Sequence, residues 1–423
     1  MTALLTEPQA PKALSKAQRT RARVIGIVLL LLAGFVAIVF AAGTEGDASF
    51  GLSRAQDAIQ LGPLVLPAAG TAWAVAVLLA FAGAVQLTRG FGDKASLVLG
   101  IGLLLFVFAF LAWAAADRSF SLVGMLDSTL VKATPIALAA LAGIISERSS
   151  IINIGIEGML LSGAFAGVLV ASVTGSGLVG LAASVAIGGV LAAFLAVMSI
   201  KYRVDQIITG VVINLFALGL TSFLTSQVLV ARPELNNAPI FRAIKIPILG
   251  DIPVIGPVLF NQTILVYGMY ALVAAFTIGF FHTRWGLRTR AVSEHPGAAD
   301  TLGVNVYFHQ YLGTIIGGMV AGFGGAYFTL GTVGRFDENI TAGRGFIGLA
   351  AMIFGRWHPI GGLAAALVFG FSDSLSQKLA ILQTPIPSEF LLMAPYIVTI
   401  IVVAGVVGRS RPPAAEGKPY VKE

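Results

Sequence analysis

The sequence has 423 residues, of which 57% are apolar and 11% charged, with 50 glycines, no cysteine, a formal net charge of +7 and a mean hydropathy of +0.90. A soluble domain carries roughly 25% charged residues, so this composition excludes a soluble globule and points to a polytopic membrane protein. The missing cysteine excludes disulfide frameworks, thiolate metal sites and cysteine nucleophiles; the basic residues lie in short runs between apolar spans, which fits a bilayer better than nucleic acid.

Crossing about 30 Å of hydrocarbon takes about 20 apolar residues in helix. In chain order the candidates are Val24–Ala42, Val65–Leu87, Ser96–Ala115, Leu122–Ile145, Ile151–Ser172, Leu178–Ser199, Ile207–Leu229, Ile264–Phe281, Phe308–Gly331, Ile360–Leu382 and Ser388–Val407. The expected fold is all-α, a polytopic transmembrane helix bundle. A further apolar stretch, Phe346–Phe354, is too short to span and is followed by Gly355 and Pro359, so it counts as half of an interrupted crossing. The first apolar run is longer than the hydrophobic region of a signal peptide, which favours a span over a cleaved leader.

Lysine and arginine near span ends stay on the cytoplasmic side. With the amino terminus inside, the inner segments hold 18 Lys and Arg and the outer segments seven, while Lys132 and Lys378 fall within spans. Both termini are then cytoplasmic, with basic tails at 1–23 and 409–423. The outer segment Val230–Thr263 carries Pro233, Pro239, Pro247, Pro253 and Pro257, which predicts an ordered, turn-rich cap. The longest inner loop, 282–307, is polar, as befits a docking site for a soluble partner.

Several chemistries lack their motif. There is no G-x-x-x-x-G-K-[ST] phosphate loop, no H-E-x-x-H among His282, His295, His309 and His358, and no G-x-S-x-G elbow. No catalytic residue and no metal site are expected, and the chain binds no cofactor of its own. Asp127 with Lys132, and Asp373 with Lys378, stand five residues apart, about 140° around a helix, and make poor same-face pairs. An ion-coupled mechanism therefore lacks a strong ionisable core.

Two segments read as helix, break, helix. In Ser146–Gly167 a polar break is followed by Asn153, Gly155, Glu157 and Gly158 in the opening turns of the next helix; in Gly343–Gly362 a short apolar piece meets a glycine and proline break. A carboxylate suits a helix start, so a local reading has Asn153 capping the helix and Glu157 at the interface. A functional reading has the breaks lining a pathway, because irregular backbone at membrane depth belongs where it faces a cavity or other protein. Gly313, Gly317, Gly318 and Gly322 form small-x-x-x-small pairs that let helices approach closely, with pore lining as the alternative.

Together, Ile152-Asn-Ile-Gly-Ile-Glu-Gly158, Ala133-Thr-Pro-Ile136, Gly286-Leu-Arg-Thr-Arg-Ala-Val292, Gly343-Arg-Gly-Phe-Ile347 and Ala394-Pro-Tyr-Ile-Val-Thr399 resemble the membrane subunits of bacterial ABC importers in the branched-chain amino acid and simple-sugar permease superfamily, most nearly the nucleoside importer branch. The resemblance covers roughly 96–408 and implies a core of about ten spans, a second permease subunit, a separate ATP-binding subunit that uses ATP and Mg, an extracellular substrate-binding lipoprotein, and residence in the bacterial cell membrane. Residues 24–95, with two extra spans, fall outside it. It also implies that the inner loop is the coupling segment to the ATPase, through Arg290, Glu294, His295, Pro296, Ala298, Ala299 and Gly303, with a short helix beginning around Ser293 and Pro296. The arginines there serve equally as inside-positive anchors. For the pathway the candidates are Asn153, Glu157, Asn214, Tyr327 and Trp357, with Asn153 and Asn214 hydrogen bonding to a small-molecule substrate such as a nucleoside. Rival readings are import of a simple sugar or a branched-chain amino acid, an ion-coupled secondary transporter, and an intramembrane enzyme.

Overall fold

The computed structural model describes residues 16–57, 59–381, 393 and 411–422. Among the described residues, ten helices are long and apolar enough to cross a membrane, and they fall on the first ten expected spans. The eleventh, 388–407, with the motif at 394–399, lies outside the described residues except for Met393, as do residues 1–15 and Arg409.

The chain forms two compact units. The first runs to Leu122 and holds α1 (Lys16–Phe35), α2 (Ala68–Thr88) and α3 (Ala95–Ala114), so a third span joins the two expected before residue 95. Leu29, Val36, Ala72, Leu79 and Ala109 make its core. Phe40 stacks on Trp113 at 5.4 Å, an aromatic contact that adds to the area it buries. A small sheet completes the unit: β1 (Asp47–Gly51) pairs antiparallel with β2 (Leu64–Pro67) and parallel with β3 (Ser119–Ser121).

The second unit starts with α4 (Leu122–Glu147), α5 (Ile156–Thr174), α6 (Gly177–Ala196) and α7 (Gln206–Leu224). The proline-rich segment after α7 is ordered, with β4 (Ile244–Lys245) paired to β5 (Asn261–Gln262) around α8 (Ile255–Leu259). Asn236 fastens it to the bundle by taking the Phe336 N–H at 2.7 Å and giving an N–H to the Phe336 carbonyl at 3.0 Å. Then come α9 (Ile264–His282), α10 (Arg284–Glu294), α11 (Pro296–Thr301), α12 (Val306–Phe328), α13 (Arg344–Phe354) and α14 (Pro359–Ile381).

The core of this unit is α4, α5 and α12, the helices most enclosed by protein. Lipid tails are as apolar as leucine, so helices here associate through close packing rather than by escaping water. The α12 glycines make that packing possible. A Cβ on Gly322 would stand 2.1 Å from the Ser184 carbonyl oxygen, and one on Gly318 would stand 2.4 Å from the Gly188 carbonyl oxygen. Gly322→Ala therefore has no room to relax, since the obstacle is backbone. It is expected to destabilise the protein by about 1 to 3 kcal/mol, seen as a lower melting temperature in detergent. Gly219→Ala on α7, with nothing within 4 Å of the added carbon, leaves that temperature unchanged.

Candidate functional site: two interrupted helices and a helical hairpin

After α4 the chain makes a turn through Ser150, at φ 74, and runs without helix to Gly155. Each polar backbone group freed there needs a partner. The Ile152 N–H goes to Gln206 Oε1 at 2.7 Å. Asn214 on α7 supplies two more: its Oδ1 takes the Gly158 N–H at 2.7 Å and its Nδ2 donates to the Ile154 carbonyl at 2.9 Å. Asn214 is thus spent on the break itself. Asn153 does not cap α5, whose N-cap is Gly155; its amide turns back to Ser146 Oγ at 3.3 Å, leaving a fully buried Oδ1 without a protein partner.

Glu157 reaches across to the second interruption. Its Oε1 accepts from Thr341 Oγ1 at 2.6 Å and from the Gly343 N–H at 2.9 Å, and its Oε2 accepts from the Gly345 N–H at 2.6 Å. These donors surround the amino end of α13, where the helix leaves its N–H groups unpaired and carries partial positive charge. Gly345 is obligatory at this contact, because a Cβ there would lie 2.7 Å from Glu157 Cα. Glu157 is therefore no interfacial side chain, but a buried clasp between the two interrupted segments.

At the other end of α13, Trp357 gives its indole N–H to Glu147 Oε2 and its carbonyl accepts from Arg148 Nε at 3.0 Å. Between these ends Gly348 packs on Ala139 and Met352 on Gly143, so α13 descends along the last turns of α4. Its 11 residues span about 16 Å, roughly half the hydrocarbon thickness. The Glu157 clasp and Trp357 consequently occupy different depths. Tyr327 on α12 is buried beside Phe328, within electrostatic reach of Asp127 and Arg344, toward the Glu157 end.

The charges inside the bundle pair between helices. Asp373 on α14 takes Arg344 Nη2 at 3.2 Å and stands 3.7 Å from Lys132 Nζ on α4, while Asp127 takes Gln262 Nε2 at 2.7 Å. Neither five-residue pair along one helix forms these contacts.

The segment 282–307 is a helical hairpin. Thr283 caps α10 by accepting from the Gly286 N–H at 3.1 Å, and His295 caps α11 by accepting the Ala298 N–H on Nδ1 at 3.2 Å, with Pro296 at the first helical position. Ser293 belongs to α10 and is buried, so the second helix starts at Pro296. Ala298 is exposed, but Ala299 is 3% exposed and packs with Val292 and Val306. Ala299 thus faces its own protein rather than outward, because consecutive positions on a helix point about 100° apart. Gly303 turns the chain at φ 80 into α12, capped by Asn305. Leu302 and Leu287, neither of them among the expected coupling residues, are 84% and 62% exposed.

The hairpin is wired to both interruptions. Ser150 Oγ donates to the Val292 carbonyl at 3.0 Å. The Phe281 ring carries the Arg148 guanidinium at 5.6 Å and that of Arg290 at 5.1 Å, with His358 stacked on it at 4.5 Å. Arg148, Arg290 and His358 come from the first break, the hairpin and the second break. Burial, then Arg148, hold His358 below the usual histidine range; burial, then Arg290, lower Arg148. A neutral imidazole suits the company of two guanidiniums.

The family described as branched-chain amino acid transport system, permease component, matches residues 125–403. The guanosine ABC transporter permease protein NupQ of Bacillus subtilis is 42% identical over 309 residues, 70% of this chain and 96% of NupQ. The nucleoside ABC transporter permease protein NupC of Lactococcus lactis is 40% identical over 69% of this chain and 95% of its own. The guanosine permease NupP, also of Bacillus subtilis, is 27% identical over 64% of this chain and 77% of its own. No solved structure matches the chain. A multi-pass bundle with two interrupted helices and a helical hairpin, matched over about two thirds of its length, belongs to the permease components of the branched-chain amino acid transport family.

Proposed function

We propose that the chain is a membrane subunit of an ATP-driven nucleoside importer and that the hairpin α10–α11 receives the work of a separate ATP-binding subunit. The observation that carries this is the Phe281 cluster. One ring ties the hairpin to the ends of both interrupted helices, so a partner that displaces α10 moves Arg148 and His358 with it. The chain itself supplies geometry: glycine-packed helices that slide or tilt together, and two helix starts clasped by Glu157 between which a pathway opens to either side in turn. Nucleosides are favoured by the identities to NupQ and NupC. A second permease subunit, a binding lipoprotein delivering substrate from outside, cytoplasmic termini, and ATP with Mg held by the partner complete the reading.

The pathway residues divide by what they have left to offer. Asn214 and Glu157 shape the breaks, whereas Asn153 Oδ1 and the Nε2 of Gln206, which holds the Ile152 N–H, are buried without partners, one acceptor and one donor, which suits the polar groups of a base or sugar edge. Leu302 and Ala298 present the outward face of the hairpin.

Three outcomes follow from these assignments. Glu157→Ala strips three donors, two of them buried, of their acceptor and is expected to destabilise the protein by about 3 kcal/mol, with Glu157→Gln intermediate; an unshifted melting temperature for the alanine variant would remove the clasp. Leu302→Asp is expected to weaken copurification with the ATP-binding subunit at least about tenfold, with the permease's own melting temperature unchanged because the side chain is exposed. In vesicles holding the assembled transporter, labelled guanosine uptake should need ATP, survive collapse of ion gradients and be competed by nucleosides but not by pentoses or leucine. Uptake by this chain alone contradicts the reading.

A further inference from the structure

Residues 411–422 lie against the hairpin and the first interruption together. The Ala415 N–H donates to the Ser293 carbonyl at 2.9 Å, the Ala414 N–H to Glu294 Oε2 at 3.3 Å and the Gly417 N–H to the Ser150 carbonyl at 3.2 Å. Farther along, Tyr420 packs on Tyr307 at 5.6 Å, and Lys422 Nζ pairs with Asp300 Oδ1 at 3.2 Å. The strip thus touches α10, α11, the start of α12 and the turn after α4. At its centre Glu416 inserts its carboxyl toward Glu147, the last residue of α4, whose other partner is Trp357; Glu416 Oε2 is buried without a partner. Two carboxyl groups in hydrogen-bond contact cannot both be ionised, so one proton is held between them.

We propose that residues 411–422 are a latch that fastens the coupling hairpin to the end of α4, with Glu416 as its positioning residue, so that the C-terminal strip carries hairpin movement to the first interruption. That it carries movement rests on the role proposed above for the hairpin; that it fastens does not.

The latch is pH-sensitive by construction. Burial pushes the Glu416 carboxyl up to about 7 from its ordinary 4.5, its hydrogen bond with Glu147 acting the other way. The docked strip therefore binds a proton that the free strip releases. The part of docking that depends on this proton is fully present below about 4.5, is lost as pH rises through about 7, and is absent above. The surrounding charges are otherwise engaged: Arg148 with the Trp357 carbonyl and the Phe281 ring, Arg290 with the same ring, His358 stacked on it, Glu294 with the Ala414 N–H, Lys418 with the Ala414 carbonyl, and Lys422 with Asp300.

Because the chain has no cysteine, single cysteines report docking cleanly. In the full chain at about pH 5.5, Ala415→Cys, at a position 6% exposed, is expected to react with a maleimide at least about tenfold more slowly than Leu302→Cys, at a position 84% exposed. The ratio should fall toward one by about pH 8, and adding Glu416→Gln should leave it independent of pH. Should Ala415→Cys itself fold poorly, the double variant Asp300→Cys/Lys422→Cys with a short bis-maleimide reads the same docking. Equal labelling at both pH values, or an unchanged pH profile with Glu416→Gln, overturns the latch. In the assembled transporter, truncation after Ser410 is expected to lower uptake per ATP hydrolysed severalfold; an unchanged ratio overturns the transmission. If the untruncated assembly shows no ATP-linked uptake, the proposed function fails while the labelling result stands.

Discussion

The structure turns on one carboxylate. Two helices start inside the bundle, and each exposes backbone N–H groups that no water reaches in a bilayer. Glu157 stands in the first turn of one and satisfies the opening N–H groups of the other. This arrangement lets α13 begin at depth, and a helix that begins at depth can be short. Its 11 residues then suffice to reach Trp357 and the Glu147 end of α4. The loop from Gly334 to Gly343 is held at its start by Asn236, through Phe336, and at its finish by Glu157.

From that clasp the polar contacts run on in sequence toward the hairpin. Asn214 and Gln206 bond the irregular backbone of the first break, Arg148 bonds the second, and the Phe281 ring gathers Arg148, His358 and Arg290. Few of these groups compete with water, so each bond is worth more than it would be at a surface. The same scarcity of water explains why Asp373 answers Arg344 and Lys132 from neighbouring helices: a single intramembrane charge has to find an opposite one wherever it lies.

Much of this was legible in the sequence, and the limits have physical causes. The spans follow from length and hydropathy, the breaks from glycine and proline between apolar pieces, and the hairpin's second start from Pro296. The glycine pairs of α12 do pack backbone against backbone. What the sequence conceals is the choice of partner. Glu157 is visible near a helix start, but its donors are more than 180 residues away, and nothing local distinguishes the start of α13 from that of α5. Asn153 carries the right side chain for a cap, yet Gly155 occupies the cap position and the amide folds back to Ser146. Ala298 and Ala299 are alike in type and adjacent, and only the rotation of a six-residue helix decides which one faces out. The C-terminal strip has no apolar periodicity to announce it, since its contacts are mostly single backbone bonds.

The cap on α11 fixes more than a helix end. Because Nδ1 of His295 receives the Ala298 N–H, that nitrogen keeps its lone pair, and the ring's hydrogen in the neutral form resides on Nε2. The exposed edge of the imidazole is therefore a donor without an accompanying acceptor. A surface that settles on the hairpin at this point and excludes water does best to bring an acceptor, such as a carbonyl or carboxylate oxygen, whereas a lysine or arginine placed there would meet no complement.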